Sequence, residues 1–255
     1  PNSTEGLKFE GRDIDFNADI STHEYMHTNG LMSNAGNTST SGIKNSDMSF
    51  FVWLKIPPTS TFTETNVTFP SGLANLGQPG RSRWHSIFSV TSPLDSTAND
   101  RTRLGNLENA MFFGIAGNPN LINNDSATEI VMNSTSTVPA GNLIIDASSE
   151  TDFHDWHDTG KKIDDNQWHH VGFTYDLSAD SFKVYVDGIL VSQKTYGNTG
   201  SNRWNASGAA LQAVFAATHY KRIDRSTDYI QNFLHATFSN MTIWTQILNE
   251  TQVSE

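Results

Sequence analysis

Apolar and polar residues alternate along the segment 167–194. The first alternation places four residues on one face of a strand: His169, Val171, Phe173 and Tyr175. A polar turn at 176–180 leads to a second alternation, which turns Phe182, Val184 and Val186 to one face. A period of two residues is typical of strands with one buried face.

The dipeptide Asp187-Gly188 joins the second alternation directly to a third apolar run at 189–191. A type I′ hairpin turn requires a positive φ at both central residues, and Asp-Gly meets that requirement at low cost. The segment therefore predicts a three-stranded antiparallel meander.

Further strands are predicted wherever short apolar runs lie between turn residues. These runs are 7–9, 14–16, 86–90, 111–115, 129–132, 142–146, 213–217 and 236–244. Residues 48–56 are almost entirely apolar, which indicates a central strand covered on both sides. Helix is scarce, apart from a short turn that Asn249 would cap with Gln252 as its reciprocal partner. The pattern predicts an all-β fold, a two-sheet antiparallel β-sandwich.

The chain has 255 residues, with long polar insertions at 57–83, 93–109 and 197–208. Insertions of this length in a compact domain are usually functional or mobile. No internal repeat and no linker composition divides the chain. We therefore expect residues 1–255 to form a single domain.

The meander resembles a known signature. Residues 164–176 read DDNQWHHVGFTYD and residues 183–188 read KVYVDG. They are similar to the pattern D-x-x-W-H-H-V-A-x-x-Y-D … V-Y-V-D-G of laminin G-like, concanavalin A-like jelly-roll domains. The opening residues 7–11, the strand 49–55 and the closing residues 236–253 resemble the matching parts of that family. The resemblance implies a jelly roll with adjacent termini, and a role in binding glycans, binding receptors or spacing other domains.

The resemblance also raises the question of a calcium ion. Relatives often hold Ca²⁺ between a carboxylate near the opening strand, for which Asp13 and Asp15 are candidates, and an Asp of the closing strand. Here the closing position reads Ser239-Asn240. Calcium prefers six to eight oxygen ligands, some of them carboxylates. One carboxylate is therefore missing, and Ca²⁺ binding is left open.

Composition and charge exclude several classes of partner. The formal charge is −11, with 27 acidic residues against 16 Lys and Arg, and there is no cysteine. Nucleic acids and anionic membranes need a positive face, so neither is an expected partner. No apolar run approaches the ~20 residues that span a bilayer, so we expect no membrane insertion. Thiolate metal sites and disulfides are excluded.

Asn-x-Ser/Thr triplets are frequent and mark candidate glycosylation sites. The candidates are Asn37, Asn66, Asn124, Asn133 and Asn205. The triplet at Asn240 is set apart because it lies inside a predicted strand. Abundant Asn, Ser and Thr also produce such triplets by chance. Together with the fold resemblance, they favour an extracellular location: secreted, on a cell surface or on a virion surface.

Three ligand-binding candidates lie in the motif at 153–158, namely Asp155, Trp156 and His157. An aromatic ring packs against the apolar face of a pyranose, and short polar neighbours hydrogen-bond its hydroxyl groups. Two alternatives stay open. The motif also fits an ordinary strand with a buried Trp, and its His and Asp side chains also suit a transition metal.

Three further candidates are Trp204, Tyr220 and Arg222. Trp204 lies in a loop rich in Gly, Ser and Asn, where it is either a ligand platform or a lid over the core. Tyr220 and Arg222 belong to a basic segment at 219–225 that suits an anionic glycan, although a solvated loop with local Asp partners explains the segment better. The neighbouring His169 and His170 point to opposite faces of a strand and cannot chelate one ion together.

Catalytic motifs are missing. The nearest approach to the paired carboxylates of a glycosidase is Glu150-Thr151-Asp152-Phe153-His154, where His154 replaces the last carboxylate. The sequence therefore predicts a non-enzymatic extracellular binding module whose partner is a glycan or a cell-surface glycoprotein. The first alternative is a structural or adhesion domain that contacts neighbouring protein subunits. The second is a glycan-active hydrolase or lyase.

Overall fold

A computed structural model describes eleven segments of the chain: 7–10, 26–28, 47–59, 84–91, 111–117, 138–147, 157–196, 212–216, 218–221, 228–231 and 234–254. These segments form fourteen strands and one short helix. The predicted strands at 14–16 and 129–132 lie outside them, as do almost all residues of the three insertions.

The strands form two large sheets. The front sheet contains β1 (Leu7–Glu10), β3 (Met48–Lys55), β8 (Trp168–Asp176), β9 (Ser181–Val186), β10 (Ile189–Thr195) and β14 (His235–Trp244), in the order β1-β14-β3-β8-β9-β10. The back sheet contains β2 (Met26–Thr28), β4 (Trp84–Thr91), β5 (Met111–Ala116), β6 (Asn142–Ala147), β7 (His157–Lys162) and β11 (Gln212–Phe215), in the order β2-β11-β4-β5-β6-β7. A small pair consists of β12 (Thr218–Lys221) and β13 (Asp228–Gln231). Every registered pair is antiparallel.

The inner faces of the two sheets pack on one another through aromatic rings. Phe50 of the front sheet stacks on Phe88 of the back sheet, with ring centroids 4.6 Å apart. Phe173 meets Phe113 edge to face at 5.2 Å. Such ring pairs add to the stabilisation that buried apolar area already provides. The predicted two-sheet antiparallel sandwich is confirmed.

The predicted meander is confirmed as β8, β9 and β10. Asp187 has φ 53° and Gly188 has φ 77°, as a type I′ turn requires. The third apolar run is more exposed than its composition suggests, since Ile189 is 67% exposed and Leu190 is 39% exposed. β10 is the edge strand of the front sheet, and its pairing with β9 shifts between Leu190 and Ser192. The run therefore forms a strand but does not enter the core.

β3 is the central strand that the sequence predicts, lying between β14 and β8. Its inward residues, Met48, Phe50, Val52 and Leu54, belong to the core between the sheets. On the outer face Ser49 and Phe51 are buried, whereas Trp53 and Lys55 are half-buried. The expected cover on both sides is thus present at only one end of the strand.

The cover at that end comes from the C-terminal helix α1 (Glu250–Ser254). The predicted capping box is present: the Asn249 N–H donates to Gln252 Oε1 and the Gln252 N–H donates to Asn249 Oδ1, both at 3.0 Å. This cap fixes the helix so that Val253 packs, together with Leu248, on Phe51 and Tyr185 of the front sheet. No described helix has the length and apolar character that crossing a bilayer requires.

Candidate functional site

Most of the side chains that the sequence singles out as ligand-binding or metal-binding lie outside the described residues. They are Asp13, Asp15, Asp155, Trp156, Trp204 and Arg222, together with the sequons at Asn37, Asn66, Asn124, Asn133 and Asn205. Tyr220 is placed by its backbone in β12. The calcium site, the two Trp platforms and these glycosylation sites remain predictions.

His157 has a described side chain. It begins β7, the edge strand of the back sheet, and its Nε2 lies 2.6 Å from Ser192 Oγ on β10. The hydrogen bond joins the two sheets along one edge of the sandwich. The neighbouring Asp158 accepts hydrogen bonds from Asn142 Nδ2 at 3.1 Å and from the Gly160 N–H at 2.8 Å. This end of the 153–158 motif thus holds the sandwich together, and a ligand role for His157 stays a prediction.

The two imidazoles of the Trp-His-His motif do not converge. The His169 ring lies between two carboxylates, with Nδ1 2.8 Å from Asp187 Oδ2 and Nε2 3.1 Å from Asp165 Oδ1. Burial raises the pKa of Asp165. The Gln167 N–H and His169 act more strongly in the other direction and leave that pKa below its usual value. His169 therefore ties the start of β8 to the hairpin turn, as expected for a structural residue.

His170 points to the outer face of the front sheet and stacks on Trp53. The two ring centroids are 5.2 Å apart with an angle of 24° between the planes. The strand register pairs Trp53 with His170 and Lys55 with Trp168. All four side chains are half-buried. We call these four residues the open patch, because α1 covers the outer face at Phe51 and Tyr185 but leaves this part accessible.

The protonation state of His170 matters for what the open patch can bind. Burial lowers the pKa of His170 below its ordinary value of 6.5, and the charge of Asp187 opposes that shift in part. The ring is therefore neutral at neutral pH, with one nitrogen that donates and one that accepts. A sugar hydroxyl also donates and accepts, so a neutral imidazole beside an indole face suits a pyranose.

Sequence reasoning missed the open patch. Trp53 belongs to an apolar run that reads as a buried strand, and the His pair reads as a structural signature. The signal is the alternation of Phe51, Trp53 and Lys55 on the outer face. That alternation becomes informative once the register of β3 against β8 is known. The described residues hold no group of three or more His, Cys, Asp and Glu placed to bind a metal ion.

Comparison with solved structures finds chains of low sequence identity. The SAP-like pentraxin of Limulus polyphemus is 13% identical, with a TM-score of 0.46 over 82% of this chain and 68% of its own. The CBM40 of a Ruminococcus gnavus sialidase, bound to α2,6-sialyllactose, is 10% identical, with a TM-score of 0.47 over 90% and 97%. A putative carbohydrate-binding protein of Bacteroides ovatus is 13% identical, with a TM-score of 0.44, and this chain covers 40% of its length.

The comparison with curated proteins finds no match. A family model described as the concanavalin A-like lectin/glucanases superfamily matches residues 101–254. That segment includes β8 and β9, which contain the family signature. It also includes β10 and β14, the last strand in the chain. Because the model matches more than half of the sequence, this chain belongs to the concanavalin A-like lectin/glucanases superfamily.

Proposed function

We propose that this protein is a non-enzymatic carbohydrate-binding module that acts outside the cell, and that a sugar ring stacks on the open patch. The observation that carries the proposal is the accessible pair of Trp53 and His170, stacked 5.2 Å apart on the outer face of the front sheet. The superfamily contains lectins, which makes a glycan the natural ligand class.

The chemistry of the patch supports a neutral or weakly polar glycan. The indole of Trp53 offers an apolar face to the C–H groups of a pyranose, and His170 offers a neutral donor and acceptor. Lys55 adds a donor on the same face, in register with Trp168. Half-buried rings lose little rotamer freedom on binding, so less of the interaction energy is spent on ordering them.

Asp187, a carboxylate that contacts the open patch, is engaged in structural hydrogen bonds. Asp187 accepts from the His170 N–H at 2.9 Å through Oδ1 and contacts the His169 ring through Oδ2. A glycosidase needs a pair of carboxyl groups facing the scissile bond. This arrangement supports binding over hydrolysis. Assays for new reducing ends or unsaturated products test the hydrolase and lyase alternatives directly.

The test uses the full chain produced in bacteria, without glycans of its own, on a glycan array and in affinity gels, with Ca²⁺ and with a chelator. Trp53→Ala is expected to weaken binding at least about tenfold, which corresponds to about 1.4 kcal/mol. Trp53→Phe keeps an aromatic face and should retain part of the affinity. The comparison of Ca²⁺ with chelator tests whether binding depends on a calcium ion, for which Asp13 and Asp15 are the candidate ligands.

Trp156→Ala and Trp204→Ala serve as the comparison variants. If they abolish binding while Trp53→Ala binds normally, the glycan site lies in the loops and the open patch is the wrong surface. If the chain retains no glycan from a broad panel under either condition, carbohydrate binding itself is wrong.

A second candidate function is an adhesion domain with a protein partner. The exposed Ile189 and Leu190, at the start of the edge strand β10, favour it, because exposed apolar side chains on an unpaired sheet edge can mark an interaction surface. Sedimentation of the chain alone tests for contacts between copies. A defined oligomer that Ile189→Ser dissociates would favour this function over the lectin-like one.

A further inference from the structure

Asn240 lies at an irregular point of β14. The residue has φ 49°, and the pairing between β14 and β3 shifts register between Ser239 and Thr242. Both Asn240 and Thr242 are exposed. A bulge of this kind leaves its extra residue outside the ladder and bends the strand. The sequence argued against glycosylation at Asn240 because of its position in a strand. The strand is present, but the bulge leaves Asn240 without a registered partner in β3, so its position in a strand no longer argues against glycosylation.

The residue type fits this conformation. Asn is one of the few residues with a side chain that adopts a positive φ at low cost. On its other side, β14 pairs with β1 over His235 to Phe238, so Asn240 lies beyond the last registered β1 partner. The Asn240 side chain thus projects from a bend in the strand, two residues past that pairing.

Residues 249–251 read Asn-Glu-Thr and form the other triplet whose Asn side chain is described, but that side chain is engaged differently. Asn249 Oδ1 accepts the Gln252 N–H and the Asn249 N–H donates to Gln252 Oε1. The carboxamide is therefore held against the first turn of α1. Between these two sequons, the structure favours Asn240 as the acceptor.

We propose that Asn240 is an N-glycan acceptor when the chain enters a secretory pathway that transfers oligosaccharides. The Asn240 Nδ2 forms a bond to the first sugar carbon of a polyprenyl-pyrophosphate-linked oligosaccharide. The bond between that carbon and the pyrophosphate breaks, the lipid pyrophosphate leaves, and the amide nitrogen loses one proton. The proposal depends on the extracellular location proposed above and is independent of sugar binding.

The modification would also stand beside the open patch. Ser239, the residue before Asn240, is the register partner of Trp53 on the opposite side of β3 from His170. An oligosaccharide attached one residue further along borders the surface on which we place the ligand. A modified chain is therefore expected to bind glycans less tightly than the bacterial protein.

The first test translates the full chain in the presence of endoplasmic reticulum microsomes and counts glycans by the change in gel mobility that endoglycosidase removes. Asn240→Gly keeps a residue that tolerates the positive φ and removes the acceptor. Thr242→Val removes the hydroxyl of the triplet and keeps a β-branched side chain. Both variants are expected to carry one glycan fewer than the wild type, and Thr242→Ser is expected to carry the same number.

The second test locates the site in chain secreted from eukaryotic cells. Peptide N-glycosidase in ¹⁸O-labelled water converts each formerly glycosylated Asn into a labelled Asp, and peptide mass spectrometry then identifies position 240. Label at Asn240 supports the proposal. Equal glycan numbers in the wild type and both removal variants, or an Asn240 peptide found only without label, overturn it. Neither readout depends on carbohydrate binding.

Discussion

The outer face of the front sheet has two ends that differ in cover, although the same strands form both. At one end Phe51 and Tyr185 are buried under Leu248 and Val253. Two residues further along β3, Trp53 stacks on His170 and both remain half-exposed. Phe51 and Trp53 are two residues apart in one strand, so both side chains point to the outer face. Packing of α1 and of the residues just before it, Leu248 among them, makes one of them part of the fold and leaves the other a candidate binding surface.

Truncation of Phe51 is expected to have the largest effect. Phe51 is 1% exposed and contacts the rings of His170, Tyr185 and Trp244. Phe51→Ala should lower the free energy of unfolding by about 3–5 kcal/mol, because a buried ring is lost and a cavity remains. Urea unfolding measures the change. Trp53→Ala is the matched variant at the open end and should cost about 1 kcal/mol or less. Equal losses of unfolding free energy in the two variants would mean that the two ends of the outer face do not differ in how far they are covered.

Gly172 is expected to show the next largest effect. A Cβ on this residue would collide with the Phe50 carbonyl oxygen and the Phe51 ring. Gly172→Ala should therefore destabilise the fold by about 1–3 kcal/mol through overpacking. Thermal unfolding measures it. The double variant Phe51→Ala/Gly172→Ala should lose less than the sum of the single changes, because the ring that collides is gone. Full additivity would show that the backbone contact alone is responsible.

Loss of the helix cap should have a smaller effect at the covered end. Asn249→Ala removes the acceptor of the Gln252 N–H and should cost about 1 kcal/mol. Asn249→Asp keeps an acceptor and should remain close to the wild type. Hydrogen exchange of residues 250–254, measured with the unfolding curve, reports whether α1 frays. Unchanged exchange in Asn249→Ala would show that packing of Val253, and not the cap, holds the helix in place.

The smallest effect concerns pH at the open end. Burial depresses the pKa of His170 below 6.5 in the folded state, so the unfolded chain binds the proton more readily. The stability linked to this residue is complete above pH 6.5 and declines as pH falls from 6.5 towards the lower folded pKa. His170→Gln should flatten that part of a plot of Tm against pH. If the plot is unchanged in His170→Gln, the dependence of Tm on pH in this range comes from other residues.

A second pH window separates this effect from that of the carboxylates. The folded pKa of Asp176 lies below 3.8, because Ser178 and Ala179 donate hydrogen bonds to it. Asp165 also has a lowered pKa. Both carboxylates contribute stability at pH values above their unfolded pKa, and that contribution is lost as the pH falls through their folded pKa. Their contribution therefore disappears at more acidic pH than that of His170.

The local signals in the sequence predict the elements well. The alternation at 168–186, the Asp187-Gly188 turn and the Asn249–Gln252 cap each depend on residues close together in the chain, and all three are found. The exposure of Ile189 and the bulge at Asn240 are different. They depend on which strand lies at the sheet edge and on the register of β14 against β3, and no local pattern reports either.

The sequence by itself therefore determined the strands of the front sheet, the hairpin turn and the superfamily, because a two-residue period and turn chemistry are local properties, whereas β2, β12 and β13 were not predicted. The tertiary structure decided which outward residues are covered. Phe51 and Trp53 have the same orientation in the same strand, and the difference between them comes from Leu248 and Val253, about 200 residues later in the chain. Cover is a property of what packs on a face, so it is settled only when distant segments meet.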